Sequence, residues 1–294
     1  MILTITSFSK NGKGDGEMIN FDKHYFIEKF LDNDFLSSID FKKYTTLICD
    51  FNEDGIRDHC KKHFRSLEKM LSLYNKICDI AVKKNPDIII YQHPEKCSWI
   101  GDKDKTNKIV GNILNENDIF AIPKTYNIRS GKDLDKFKDY PLLMKVNKNF
   151  GGKKRELDSV VHSKQEAKDA YNEIFKKYVQ KKNEVIALQL IDSFIPKLKC
   201  YHVIRFFVVN DILVDWSIRP SKQWSVHAKN TKVGKIIDAE NYIEPIIKNN
   251  MANIMDFIKR IHTITGNGFY CWDFIYSEKF NKFFICELGL KYFD

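Results

Sequence analysis

The chain has 294 residues, 43% apolar and 13% aromatic, enough to bury cores in two or three compact lobes rather than one small one. Lys and Arg outnumber Asp and Glu by 48 to 39, a formal charge of +9, which favours anionic partners without choosing among nucleotide, phosphorylated metabolite and nucleic acid. Seven cysteines lack any Cys-x-x-Cys pair, so we expect free thiols in a reducing compartment. With no charged-then-apolar leader and no apolar run near the ~18 residues that would span a bilayer, the expectation is a cytoplasmic protein without a membrane partner.

In chain order, "MILTITSF" and "TTLICDF" read as strands, residues 56 to 84 carry helical periodicity, and "PDIIIYQH" reads as a short buried strand. This alternation predicts an α/β lobe over residues 1–98 with a largely parallel sheet. Residues 102–114 look helical. "YPLLMKV" is a strand ending near Lys145, "DSVVHS" another, and a polar helix runs from Lys164 to about Lys182. "EVIALQLI" follows, then "YHVIRFFVVNDILVDWSIRP", a hairpin turning at Asn210-Asp211 that places residue 205 opposite about 216. A helix from about Glu244 to Thr265 precedes a last hairpin, "YCWDFIYSEKFNKFFICEL". The whole is α+β, divided as a central lobe over 99–186 and a C-terminal lobe over 187–294.

Five features carry possible chemistry. The last hairpin, centred near Phe280, sets Asp273 opposite Glu287; facing carboxylates repel, and a hard divalent cation such as Mg²⁺ would turn that repulsion into a site. Lys145 ends an apolar strand shortly before Gly151, Gly152 and Lys153, whose backbone N–H groups could approach a phosphate; alone, these residues read first as a solvated lysine before an ordinary turn. Arg205 interrupts an otherwise apolar strand, so it emerges at an edge or points into an anion site, and Arg219 lies near the end of its partner strand. The glycines of "NGKGDGE" (11–17) have neither P-loop nor dinucleotide spacing and read as a surface loop. His202 and His227 show no partner in the sequence. No nucleophile elbow or His-Glu-x-x-His is present, which argues against catalysis by a protein nucleophile.

Taken in order over residues 87 to 290, these pieces resemble the ATP-grasp superfamily. "IGDKDKTNKIV" resembles the segment whose early cation reaches the nucleotide phosphates, which implies that role for Lys103, with Lys105 the alternative. "YPLLMKV" is similar to the second lysine strand, so the resemblance sets Lys145 at the α-phosphate and adenine side, and "FGGKKREL" in the place of the glycine-rich loop over ATP. "IALQLID" is similar to the hinge strand for adenine, about Leu188, Gln189, Leu190 and Ile191, with Gln189 replacing the usual Glu.

"IRFFVVND" resembles a strand of the ribosomal-protein glutamate ligase and glutathione synthetase branch, which implies Arg205 at the γ-phosphate or acyl-phosphate. "CWDFIY" and "FICELG" are similar to the two metal strands. Glu287-Leu288-Gly289 departs from the usual Glu-x-Asn. The implied activity is an ATP-dependent, ADP-forming carboxylate–amine ligase using ATP and Mg²⁺ on an unidentified carboxylate or anionic small-molecule or peptide substrate. Two alternatives remain. "IRPSKQW" and "DKDKT" are similar to segments of inositol-tetrakisphosphate kinases, and Gly289 suits a nucleotide-binding module without turnover. A nucleic-acid partner is not expected, because no basic run interleaved with aromatics is present.

Overall fold

The computed structural model describes residues 1–6, 22–51, 63–64, 66–100, 102–147, 159–178, 185–224, 231 and 233–290. Three sheets organise them. The first is wholly parallel, in the order β2-β1-β3-β4, from β1 (Ile2–Thr6), β2 (Lys23–Phe26), β3 (Thr46–Asp50) and β4 (Ile89–Tyr91). Helix α1 (Asn33–Ser38) lies between β2 and β3 in sequence, and α2 (Leu67–Lys84) between β3 and β4. Ser66 caps α2 by accepting the Lys69 N–H at 3.3 Å, and Met70, Tyr74, Ile77, Cys78 and Ala81 form its buried stripe at helical spacing. The Tyr74 hydroxyl spends its proton at the strand ends, on Ile5 O or Asp50 O.

Two expectations for this region are corrected. The described helix starts at Leu67, and residues 56–62 of the periodic stretch lie outside the described residues. Strand β4 is at the edge of the described sheet and its Ile89 is 47% exposed, so it is not buried; among the described residues no strand pairs on its outer side.

The chain then passes through α3 (Pro94–Cys97) and α4 (Lys103–Gly111), the short β5 (Phe120–Ala121) and β6 (Thr125–Ile128), and β7 (Leu142–Val146), β8 (Ser159–Val161), α5 (Lys164–Tyr178) and β9 (Val185–Gln189). Strands β6, β9, β7 and β8 form an antiparallel sheet. Its own core gathers Ile128, Leu134, Met144 and Val146 with Ala167 and Ile174 of α5. The third sheet holds β10 (Phe194–Ile195), β11 (Cys200–Val209), β12 (Ile212–Ser221), β13 (Phe269–Ser277) and β14 (Lys282–Gly289), and β5 joins β14 in parallel.

Helices α6 (Ile236–Asn249) and α7 (Met251–Thr265) replace the single helix expected from 244. Asn250 makes the break. Its side chain donates to Ile246 O and its N–H to Ile247 O, ending α6, while its carbonyl accepts from Ile254 N and opens α7. One continuous core joins the first and third sheets, from Leu3 and Leu47 to Phe206, Phe257 and Trp272. Gln92 ties them in polar terms as well. It is buried, with φ of 55°, and its amide donates to Phe269 O and Leu290 O.

Arg260 of α7 closes the base of the third sheet by a two-pronged pair with Asp118, both N···O distances 2.9 Å, and a bond to Ile113 O. That guanidinium holds the Asp118 carboxyl below its ordinary 3.8. A depressed carboxylate contributes stability above its unfolded pKa, lost as pH falls through the folded value. We expect Arg260→Ala to lower stability by about 1–3 kcal/mol near neutrality. In denaturant titrations, Asp118→Asn should be less stable than wild type at pH 7, and the gap should shrink below pH 3.8.

Candidate nucleotide and metal site

The late hairpins set the chemistry. Strand β13 pairs with β11 on one side and β14 on the other, with Arg205 opposite Asp273 and Asp273 opposite Glu287. The facing acids expected from the sequence are therefore present, but by a less simple route. From Ser277↔Lys282 to Phe274↔Ile285 the hairpin follows one register, which by itself would set Asp273 against Cys286. A bulge at that point inserts Cys286 and brings Glu287 level with Asp273. A second bulge between Phe207 and Val208 shifts β12, so Arg205 lies opposite Ser217, one residue from the expected 216. Arg219 lies opposite Val203, near the strand end as expected.

Each acid has a cation. Arg205 grips Asp273 with two prongs, Nε to Oδ1 at 2.7 Å and a terminal nitrogen to Oδ2 at 2.9 Å. Lys103 lies 3.6 Å from a Glu287 oxygen. Burial raises the Asp273 carboxyl above its usual range and Glu287 adds to the rise, while Arg205 and Arg219 pull it back. The sequence-based view of two acids repelling in an empty site is corrected accordingly: Asp273 is an ion-pair partner in this state.

Lys103 owes its place to a clamp. Asp102 caps α4 by accepting the Lys105 N–H, and the buried Asn147, two residues beyond Lys145, donates to the same Asp102 oxygen and accepts from the Asp104 N–H, each at 3.2 Å. The first helical residue, Lys103, is thus fixed beside the end of β7.

A cleft of about 190 Å³ gathers most of the expected residues: Lys103, Lys145, Asp273 and Glu287 line it, as do Leu188, Gln189, Leu190 and Ile191. Its apolar lining includes Leu143 opposite Leu188 on the β7–β9 ladder, and Ile275 and Ile285 from the third sheet. Arg205, beside Asp273 on the neighbouring strand, and Arg219 are not on the described lining. Gly151, Gly152 and Lys153 lie outside the described residues, as do His227 and the 11–17 loop. A wider cleft of about 780 Å³ adjoins, sharing Gln189, Leu190, Ile191 and Trp224 and carrying Tyr126, Tyr140, Tyr201 and Phe280.

The sequence reading missed Asn147, Leu143, Ile275, Ile285 and Cys286. Leu143 and Ile275 sit two residues from Lys145 and Asp273, so strand alternation alone would put them on the same face; the bulge at Cys286 had no sequence signal. Cys286 is exposed on the cleft lining; desolvation by the protein around it, then the Asp273 carboxylate, push its thiol up to about 12.

His202 is no free base. Its Nδ1–H donates to Ser193 O at 2.7 Å, Nε2 accepts the Tyr276 N–H, and burial pulls its pKa down to about 4. Among the described residues no group of three or more His, Cys, Asp or Glu could hold a metal. Two facing carboxylates remain, hard oxygen donors that suit Mg²⁺ when ligand phosphates supply further oxygens.

No family model and no curated protein sequence matches the chain. Among solved structures it is similar to the ATP-grasp ligase PsnB complexed with minimal precursor (TM-score 0.56, 8% identity, 98% of this chain and 89% of that one). It is similar also to VanG D-Ala:D-Ser ligase from Enterococcus faecalis (0.54, 16%, 98% and 89%). The D-alanine–D-alanine ligase from Bacillus anthracis complexed with ATP gives 0.53 at 11% identity over 98% and 84%. The chain has the ATP-grasp fold. No helix among the described residues is long and apolar enough to cross a membrane.

Removing one partner of the Arg205–Asp273 pair leaves a partly buried guanidinium without its carboxylate. Metal-free Asp273→Asn should therefore lose about 1–3 kcal/mol of stability in thermal or denaturant unfolding; an unchanged or raised Tm would contradict the pairing. His202 gives a second expectation. A histidine whose folded pKa is lowered stabilises above its unfolded value, and that share is lost on acidification. Wild type should lose stability as pH falls from 6.5 towards 4, and His202→Asn should flatten that part of the profile.

Proposed function

We propose that the protein is an ATP-dependent, ADP-forming ligase that joins a carboxylate to an amine through an acyl-phosphate. The observation that carries the reading is the single cleft in which Lys103, Lys145, residues 188–191, Asp273 and Glu287 meet, within a fold shared with proteins described as ATP-grasp, D-Ala:D-Ser and D-alanine–D-alanine ligases.

The purine would lie between the Leu143–Leu188 pair and Ile275 with Ile285, its edge satisfied by backbone groups of the 188–191 segment. Lys145 and Lys103 would hold the phosphates. Asp273 and Glu287 would hold Mg²⁺, which when bound offsets phosphate charge and polarises the transferring phosphoryl group. Arg205, kept on the acid row by Asp273, would neutralise charge developing on that group, and Arg219 would add to the same field. The substrate carboxylate attacks the γ-phosphorus as ADP leaves, and the amine then displaces phosphate at the acyl carbon. None of these steps needs a protein nucleophile or His202.

Lys145→Ala should weaken ATP binding by about 1–3 kcal/mol by calorimetry, the loss of a charge-assisted contact, with the far-ultraviolet spectrum unchanged. Unaltered affinity would remove Lys145 from the site. Incubation with ATP, Mg²⁺ and pooled carboxylates and amines, read by mass spectrometry, should give ADP with an amide product; a phosphorylated metabolite in place of the amide would make the protein a kinase.

A further inference from the structure

Of the four tryptophans, Trp99 and Trp272 are buried, Trp216 packs against the main core, and Trp224 is 37% exposed. An indole carries a large apolar area, so leaving it in water has a cost that a ligand covering it would relieve. Its place is set by a buried anchor. Ser221 ends β12 opposite Tyr201, is fully buried, and meets Thr231 across an antiparallel bridge. Its hydroxyl accepts the Gln223 N–H at 3.0 Å, an i to i+2 turn that leads the chain off the strand and into Trp224.

Trp224 lines both clefts, together with Gln189, Leu190, Ile191 and Ser193. It therefore stands where the narrow cleft that holds the carboxylates and lysines opens into the wide, aromatic one. Of the large apolar side chains exposed among the described residues, Phe280 borders the wide cleft and Trp224 alone borders both. Two polar atoms at the junction have protein partners: Gln189 Oε1 accepts the Lys124 N–H at 3.4 Å, and Ser193 O accepts the His202 Nδ1–H at 2.7 Å. The indole is the aromatic surface offered there to a ligand in the narrow cleft.

The contents of that cleft select the ligand. A nucleotide with its phosphates among Lys103, Lys145 and the acid pair, and its base beside residues 188–191, leaves one side of the base turned towards the wide cleft. An indole suits such a flat, π-rich ring, because the contact is apolar and adds an aromatic attraction to the area it buries. We infer that Trp224 packs its indole against the nucleobase and shuts the narrow cleft off from the wide one, a binding residue for the base as the lysines are for the phosphates. The inference rests on the proposed nucleotide site.

The test compares two probes on the full chain with Mg²⁺: a non-hydrolysable ATP analogue, and inorganic tripolyphosphate, which has the phosphates without the base. By calorimetry, Trp224→Ala should bind the analogue more weakly than wild type by about fivefold or more and tripolyphosphate within about twofold of wild type, while Trp224→Phe, which keeps a ring, should recover most of the loss. Titrating the analogue into the wild type should lower tryptophan emission saturably, and Trp224→Phe should remove that change. Analogue affinity within about twofold of wild type in Trp224→Ala, or a wild-type emission that the analogue leaves unchanged, overturns the inference. An equal loss for both probes overturns it as well, since a contact with the base cannot act on tripolyphosphate. A wild type that binds the analogue no more tightly than tripolyphosphate overturns it and leaves the phosphate site standing. A wild type that binds neither probe overturns the nucleotide reading, and the inference with it.

Discussion

Two carboxylates level with each other on adjacent strands, Asp273 mostly shielded from water and Glu287 still 40% exposed, cannot stand alone. Like charges across a ladder repel, and the burial that raises the Asp273 carboxyl disfavours its charged form, which Arg205 opposes. The protein resolves this by alternation: Arg205 on one flank of Asp273, Lys103 against Glu287 on the other. The rest of the architecture follows from the need to deliver those cations. Arg205 arrives through the pairing of β11 with β13, Lys103 through a helix N-terminus from a different part of the chain, and the Asp102–Asn147 clamp couples that terminus to the strand bearing Lys145.

Such a row does little for net stability, because taking the charges out of water offsets most of their attraction. Its value is geometric. A bidentate guanidinium–carboxylate contact fixes both distance and orientation, and the bulge at Cys286 is what makes it compatible with Glu287. With an unbroken register, the thiol would face Asp273 and Glu287 would point to the other face of the sheet. The stability comes from elsewhere, chiefly from the shared apolar core of the first and third sheets.

What was legible in the sequence were the long apolar runs and the residues that broke them. The parallel first sheet follows from alternating strand and helix signals, the 210–211 turn from Asn-Asp between two apolar runs, and the Lys145 strand and the pairing of Asp273 with Glu287 from one charge in an apolar context. Strands β5, β6 and β10 are two to four residues long and owe their existence to neighbouring strands, so no local pattern announces them. The break at Asn250 turned on a capping side chain inside an otherwise continuous apolar periodicity. Arg205 and Asp273 each read correctly as exceptions in a strand; that they satisfy one another is a fact of sheet order, β11 beside β13, which sequence separation conceals.

The internal pairing also decides where ligand affinity can come from. A phosphate that draws Arg205 or Lys103 towards itself displaces a carboxylate already in contact, so its gain is the difference between two charge-assisted interactions rather than the whole of one. A divalent cation changes that balance, because it gives Asp273 and Glu287 a replacement partner and frees both cations for the phosphates in the same event. Metal and nucleotide should therefore bind with positive coupling, each favouring the other by the same factor. The affinity that does not depend on this exchange lies at the other end of the cleft, where Leu143, Leu188, Ile275 and Ile285 offer apolar area at about 25 cal/mol per Å² buried. In the proposed nucleotide complex the charged row would set where the phosphates lie, while the apolar walls would supply the binding energy that holds them there.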